Sequence, residues 1–139
     1  MEGRLSMMKT QNEKYHLTDK EVELMELLWK LDKPLTSMQM LEAAGEHSWS
    51  DNYLPIMLKS LLKKKAIEVC GYVQCATQYA RQFKYAITRE EYIARFAISH
   101  GLKTNAIPRV AVAMVEELDE DKEEIIRELE AFIRELKEK

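Results

Sequence analysis

Three times along the chain a threonine is followed three residues later by Glu or Gln: Thr18-x-x-Glu21, Thr36-x-x-Gln39 and Thr88-x-x-Glu91. In each, the hydroxyl and the distal carboxylate or amide can satisfy one another's free backbone N–H groups, which marks the start of a helix. Helix starts at three set positions leave little freedom for the chain between them. Behind Thr18, Val22, Met25, Leu28 and Trp29 form a helical stripe flanked by Leu24 and Leu31, and Pro34 forbids continuation. The spacing predicts a first helix over 18–32. Met40, Leu41 and Ala44 follow Thr36 with Gly45 as a stop, so a short second helix is expected over 36–46.

A third amphipathic segment follows without a capping box. Leu54, Met57, Leu58, Leu61 and Leu62 recur in steps of three and four, Ser50 or Asn52 can cap the start, and Pro55 is tolerable only in the first turn. Lys63, Lys64 and Lys65 close the segment, cations that suit a helix C-terminus. A helix over 50–65 is expected, entered through a turn at His47 to Trp49, with Trp29 and Trp49 as core anchors. The pattern then changes. Ala66 to Val73 is rich in β-branched and aromatic residues and Phe83 to Ile87 alternates apolar with polar, so two strands are expected with Gln74 to Gln82 as a connecting wing. Cys70 is expected to point into the core. A lone hairpin is not stable in water and must pack on the helices. Three tightly connected helices followed by a hairpin describe a winged helix-turn-helix.

Past Thr88 the chain reads as helix throughout. Tyr92, Ile93, Phe96 and Ala97 define one helix ending near Gly101; Pro108 opens another through Val110, Val112, Met114, Val115 and Leu118, interrupted at Asp119 to Asp121. The last carries Ile125, Ile126, Leu129, Phe132, Ile133 and Leu136 on one face. The fold class is therefore mainly α with a small β-hairpin wing, followed by a C-terminal helical region. Little chain remains to cover those apolar faces, and burying a Leu, Ile or Phe gains roughly 1.5–3 kcal/mol each. Either these helices fold back on the winged domain or they pair with another chain; a second copy is the expected cover, through Val110, Val112, Met114, Ile125, Ile126, Leu129, Phe132, Ile133 and Leu136.

Charge separates the two halves. Between Tyr53 and Arg89 seven basic residues face Glu68 alone, whereas from Glu116 to Lys139 eleven acids outnumber five bases. A basic segment inside a chain of net charge −3 points to a polyanion-binding surface kept apart from an acidic end. On this basis residues 1–16 are expected to be a flexible arm, 17–88 a winged-helix DNA-binding domain and 89–139 a helical dimerisation region. Lys59, Lys63 and Lys64, with Arg81, Gln78 and Gln82 on the wing, are candidate phosphate contacts. At the helix entrance Ser50, Asn52 and Tyr53 are candidates to reach DNA, Asn52 being able to pair with adenine or simply to cap.

Other chemistry finds no pattern. Cys70 and Cys75, five residues apart, lack the four converging ligands of a zinc site, and His16, His47 and His100 are scattered. No nucleophile elbow, phosphate loop or metal-binding helix motif is present, so neither a cofactor nor an enzymatic activity is expected. No apolar run approaches the ~20 residues of a membrane span, and the first sixteen residues lack a secretory core. With only two cysteines, a cytoplasmic protein is expected, with no membrane partner.

Leu17-Thr18-x-x-Glu21, Met25, Leu28-Trp29, Pro34, Trp49-Ser50, Leu58, Leu61, Lys65, and Tyr85 with Ile87-Thr88-Arg89-Glu90-Glu91-Tyr92 together resemble the BlaI/MecI penicillinase-repressor family over residues 17 to 95. From residue 105 the likeness is one of helical layout. The resemblance implies a homodimeric repressor on operator DNA, with a winged helix on the duplex and C-terminal helices between protomers. Where the family carries two DNA-facing threonines and a basic residue, this chain has Tyr53, Ile56 and Pro55, which adds Ile56 to the candidate contacts. The family's Lys-Gly is Lys65-Ala66. The Asn-Phe bond cleaved in β-lactam-responsive members is absent, the matching stretch reading Arg109 to Met114, and the chain ends in ELKEK without the CxC pair of copper-responsive relatives. The departures around Pro55 leave a second function open: a dimeric winged-helix module whose altered helix meets a protein.

Overall fold

The computed structural model describes residues 16–118 and 121–139. The expected arm at 1–16 lies, apart from His16, outside the described residues, as do Asp119 and Glu120 of the expected interruption. The chain divides into two compact units, the first ending at His100 and the second running Gly101–Lys139.

All three capping boxes form in the first unit and each starts a helix. Thr18 opens α1 (Asp19–Leu31), Thr36 opens α2 (Ser37–Ala44) and Thr88 opens α4 (Arg89–Ser99), with both reciprocal bonds made in every case. At Thr18 the Glu21 N–H donates to Oγ1 at 3.2 Å while Thr18 N–H donates to Glu21 Oε1 at 2.9 Å. Between α2 and α4 lie a 3-10 turn (Asp51–Tyr53), α3 (Leu54–Lys63) and the strands β1 (Ile67–Cys75) and β2 (Gln78–Tyr85). Asp32 ends α1 with a left-handed φ of 49°, and Lys65 ends α3 with φ 61° as Ala66 N–H reaches back to Leu61 O at 2.9 Å.

One apolar core joins these elements: Leu24, Met25 and Leu28 from α1, Met40 from α2, Leu54, Met57, Leu58 and Leu61 from α3, Ile67 and Phe83 from the strands, and Trp49 from the turn. Leu24, expected to flank the α1 stripe, is buried inside it, while Val22 and Trp29 pack on the core's margin. Trp29 nevertheless ties α1 to the chain after the hairpin, its Nε1 donating to Ile87 O at 2.9 Å.

The hairpin is longer than its sequence indicated. Residues 74–82, expected as a connecting loop, are mostly strand: the register runs without a break from Gly71↔Gln82 to Cys75↔Gln78, and only Ala76 and Thr77 make the turn. Ala76 takes φ 56° at the first of the two loop positions, where type II′ hairpins favour glycine. The hairpin docks through Leu35, which exchanges backbone hydrogen bonds with Phe83 at 2.9 and 2.8 Å. A bulge between Val69 and Gly71 leaves Cys70 as the extra residue. Cys70, expected in the core, is instead exposed, because the bulge removes it from the inward alternation.

The second unit holds a 3-10 turn (Thr104–Ala106), α5 (Ile107–Glu117) and α6 (Lys122–Glu138), the two helices touching only slightly. Pro108 lies in the first turn of α5, and Asp121 caps α6 by accepting from Glu123 N at 3.0 Å and Glu124 N at 3.4 Å. Neither helix buries a residue.

Candidate nucleic-acid interface

Four leucine and methionine side chains hold α3 down, and the opposite edge of the helix faces solvent. Ile56, Lys59 and Lys63, spaced by three and four residues, are exposed and share that edge, and Asn52 is exposed in the 3-10 turn just before it. The edge is neutral at its entrance and cationic at its exit.

The entrance is not capped as expected. The residue at the N-cap of α3 is Tyr53, which makes no side-chain cap bond, and Ser50, which opens the 3-10 turn, makes none either. Pro55 sits in the first turn, where its missing N–H would have no helical acceptor. Asn52 caps nothing and has no hydrogen-bond partner among the described residues. Its amide is free toward solvent. Tyr53 is half-buried against the core with Lys20 Nζ 5.1 Å from its ring centre, so it lines the entrance rather than projecting from it. The turn before it is fastened to α1: Ser48 donates to Glu23 from its N–H at 3.0 Å and from its hydroxyl at 2.6 Å. His47 stacks on Trp49 at 3.8 Å.

Lys64 does not join Lys59 and Lys63. Its ammonium donates to Glu21 Oε1 at 2.6 Å, with side chains 21% and 3% exposed respectively. Glu21 thereby closes the cap of α1 and holds the end of α3 with the same carboxylate. Burial pushes the Glu21 carboxyl up, but hydrogen bonds from Lys64, the Thr18 N–H and Ser60 outweigh it and leave the pKa below the ordinary 4.5. The expected phosphate contact at Lys64 is thus replaced by an internal ion pair. Its partner lies 43 residues away in sequence, so the lysine run gave no sign of it.

On the hairpin, Gln78 and Arg81 are both exposed but stand three residues apart on one strand and so face opposite sides. Arg81 pairs across the ladder with Tyr72, and Tyr79 with Gln74, on the face that continues outward from Val69 and Phe83. The Arg81 guanidinium lies 5.2 Å from the Phe83 ring centre. Tyr72 and Tyr79, 65% and 69% exposed, therefore share a face with Arg81 and extend the list drawn from sequence. No acidic residue occurs between Val69 and Lys84.

In the second unit, Val112, Met114, Ile126, Leu129, Phe132, Ile133 and Leu136 are exposed, with Val110 and Ile125 half-buried. On α4 of the first unit, Ile93, Phe96 and Ile98 are exposed as well. Among the described residues no group of three His, Cys, Asp or Glu side chains could hold a metal ion, and no helix is long and apolar enough to cross a membrane.

Comparison with solved structures finds the adhesin competence repressor AdcR from Streptococcus pyogenes at 18% identity, covering 97% of this chain and 93% of that one, with a TM-score of 0.35. A C-terminally His-tagged form of the same repressor matches at 16% identity, the same coverage and a TM-score of 0.37. Likeness this loose supports no inference about this chain. No curated protein matches it significantly. The penicillinase repressor family, in contrast, matches from residue 17 to residue 135, spanning the capping boxes, α3, the hairpin and nearly all of the tail helices. The chain belongs to the penicillinase repressor family.

Proposed function

We propose that this protein is a transcriptional repressor that occupies operator DNA as a homodimer, acting by steric exclusion. The observation that carries the reading is the exposed edge of α3, where Lys59 and Lys63 have no acidic partner among the described residues while the opposite face is locked into the core. Such a helix enters the major groove, its lysines neutralise phosphate, and Arg81 on the hairpin meets the neighbouring backbone. Family membership supports the same assignment.

Residues 17–88 carry the DNA contact in this reading, and residues 89–139 join two copies. The exposed apolar faces of α5 and α6 supply the surface for pairing. A two-fold dimer then sets the spacing of two half-sites. Mobility-shift titration with duplex from upstream of the protein's own gene, at low and moderate salt, tests the assignment. A saturable complex with two protomers per site is expected. A dimer that forms no such complex would instead favour a protein-interaction module, for which the exposed Met38 and Ile56 would be the contact surface.

A further inference from the structure

The exposed edge of α3 ends at its entrance in an unusual side chain. Leu54, Met57, Leu58 and Leu61 on this helix are at most 5% exposed, yet Ile56 is 58% exposed. It lies one turn after the unengaged Asn52 and one turn before Lys59. α3 itself carries no acidic residue; Glu21 beside its end is taken up by Lys64, and Asp51 before its start has its carboxylate 3.9 Å from His47 Nε2.

Resting on the DNA-binding reading above, we infer that Ile56 reads the C5-methyl group of a thymine, with Asn52 addressing an adenine on the same groove edge. Residues at the start of a recognition helix are those that meet base edges. Apart from small C–H edges such as cytosine C5–H, every other group in the major groove is a hydrogen-bond donor or acceptor, and an alkyl side chain pressed on one would leave it unsatisfied. The thymine methyl is the one alkyl group that projects into the groove, and Ile56 complements it. Asn52 offers the amide that pairs bidentately with adenine N6 and N7. Four residues across the 3-10 turn and the start of α3 advance about 6–8 Å and one base-pair step about 3.4 Å, which separates the two contacts by about two base pairs. Lys59 and Lys63, further along the same edge, supply the charge complementarity that selects a duplex over an apolar protein pocket as the occupant of this surface.

The test uses the full chain. Binding sequences are selected from a duplex library with a random core, and each thymine of the winner is then replaced singly by deoxyuridine, which removes only the methyl group. At one thymine per half-site the replacement weakens the wild-type protein about fourfold, the value of one buried methyl group. Ile56→Ala is insensitive to the same replacement, and Ile56→Val stays sensitive. Ile56 is exposed, so both variants fold, which circular dichroism checks. The inference is overturned if every thymine is replaceable without loss, or if the penalty is undiminished in Ile56→Ala. If selection enriches no sequence from a folded protein, the DNA-binding reading itself fails and the role of Ile56 falls with it. A surface that then binds protein would be the remaining account of Ile56.

Discussion

Replacing Lys64 by Met separates the lysine that holds the fold from those offered to a polyanion. The Met side chain keeps most of the aliphatic stem and removes the charge. Glu21, 3% exposed, is left with an ionised carboxylate whose remaining support comes from the Thr18 N–H and Ser60. Breaking a fully buried pair costs about 3–5 kcal/mol. Lys64 retains 21% exposure, so solvent screening lowers the expected cost to about 2–3 kcal/mol. For a domain of this size that is a fall in Tm of about 10–15 °C. Urea unfolding at fixed protein concentration reads it as a lower midpoint with an unchanged slope. Lys63→Met, one residue earlier on the exposed edge, should stay within about 0.5 kcal/mol of wild type. Glu21→Gln keeps the capping oxygen and frees Lys64 to solvent, and should partly rescue Lys64→Met in a double-mutant cycle. If Lys63→Met and Lys64→Met lose equal stability, or Lys64→Met loses none, the division of labour drawn from the ion pair is wrong.

Further outcomes follow from the same geometry. Because the folded pKa of Glu21 lies below its ordinary 4.5, its stabilising contribution is complete above that pH and is lost as pH falls through the depressed value. Glu21→Gln should therefore show a shallower loss of stability below pH 4.5 than wild type, read from urea midpoints across a pH series. Lys59→Ala with Lys63→Ala should weaken DNA binding on every sequence and reduce the salt slope by about one per lost contact, whereas Lys64→Met should leave the slope unchanged. Leu129→Asp with Phe132→Asp should turn a dimer into monomers in sedimentation without unfolding the first unit; persistence of the dimer would remove α6 from the interface. Ala76→Gly should relieve the positive φ at the hairpin turn and raise stability by about 0.5–1 kcal/mol, measured by thermal unfolding.

The helices were legible because their signals are local. A capping box lies within four residues, and the stripes of α1 and α3 repeat against a single core. The hairpin was underestimated for a physical reason: residues 72–81 extend beyond the core and are exposed or half-exposed on both faces, so no buried side imposes an apolar alternation. Its turn carries Ala76 rather than Gly or Asn, which hides it further. Asn52 looked like a cap because its residue type and position suit one, but the 3-10 turn moves the helix start past it. The loss of Lys64 from the exposed set depends on Glu21, which only the packing of α1 against α3 brings near. Cys70 was misplaced by a one-residue bulge, whose one local sign is Gly71 inside the strand.

That extra residue also bears on how the protein avoids sticking to itself. The outer side of β2 is engaged by Leu35, but β1 pairs with β2 alone among the described residues, so its other side presents unanswered amides and carbonyls. A flat, unguarded border of this kind recruits foreign strands. The kink at Cys70 twists the ribbon and spoils that template midway along nine residues. A chain lacking Cys70 would carry a straighter border, and its self-association at concentrations where the parent stays clear would show up in light scattering.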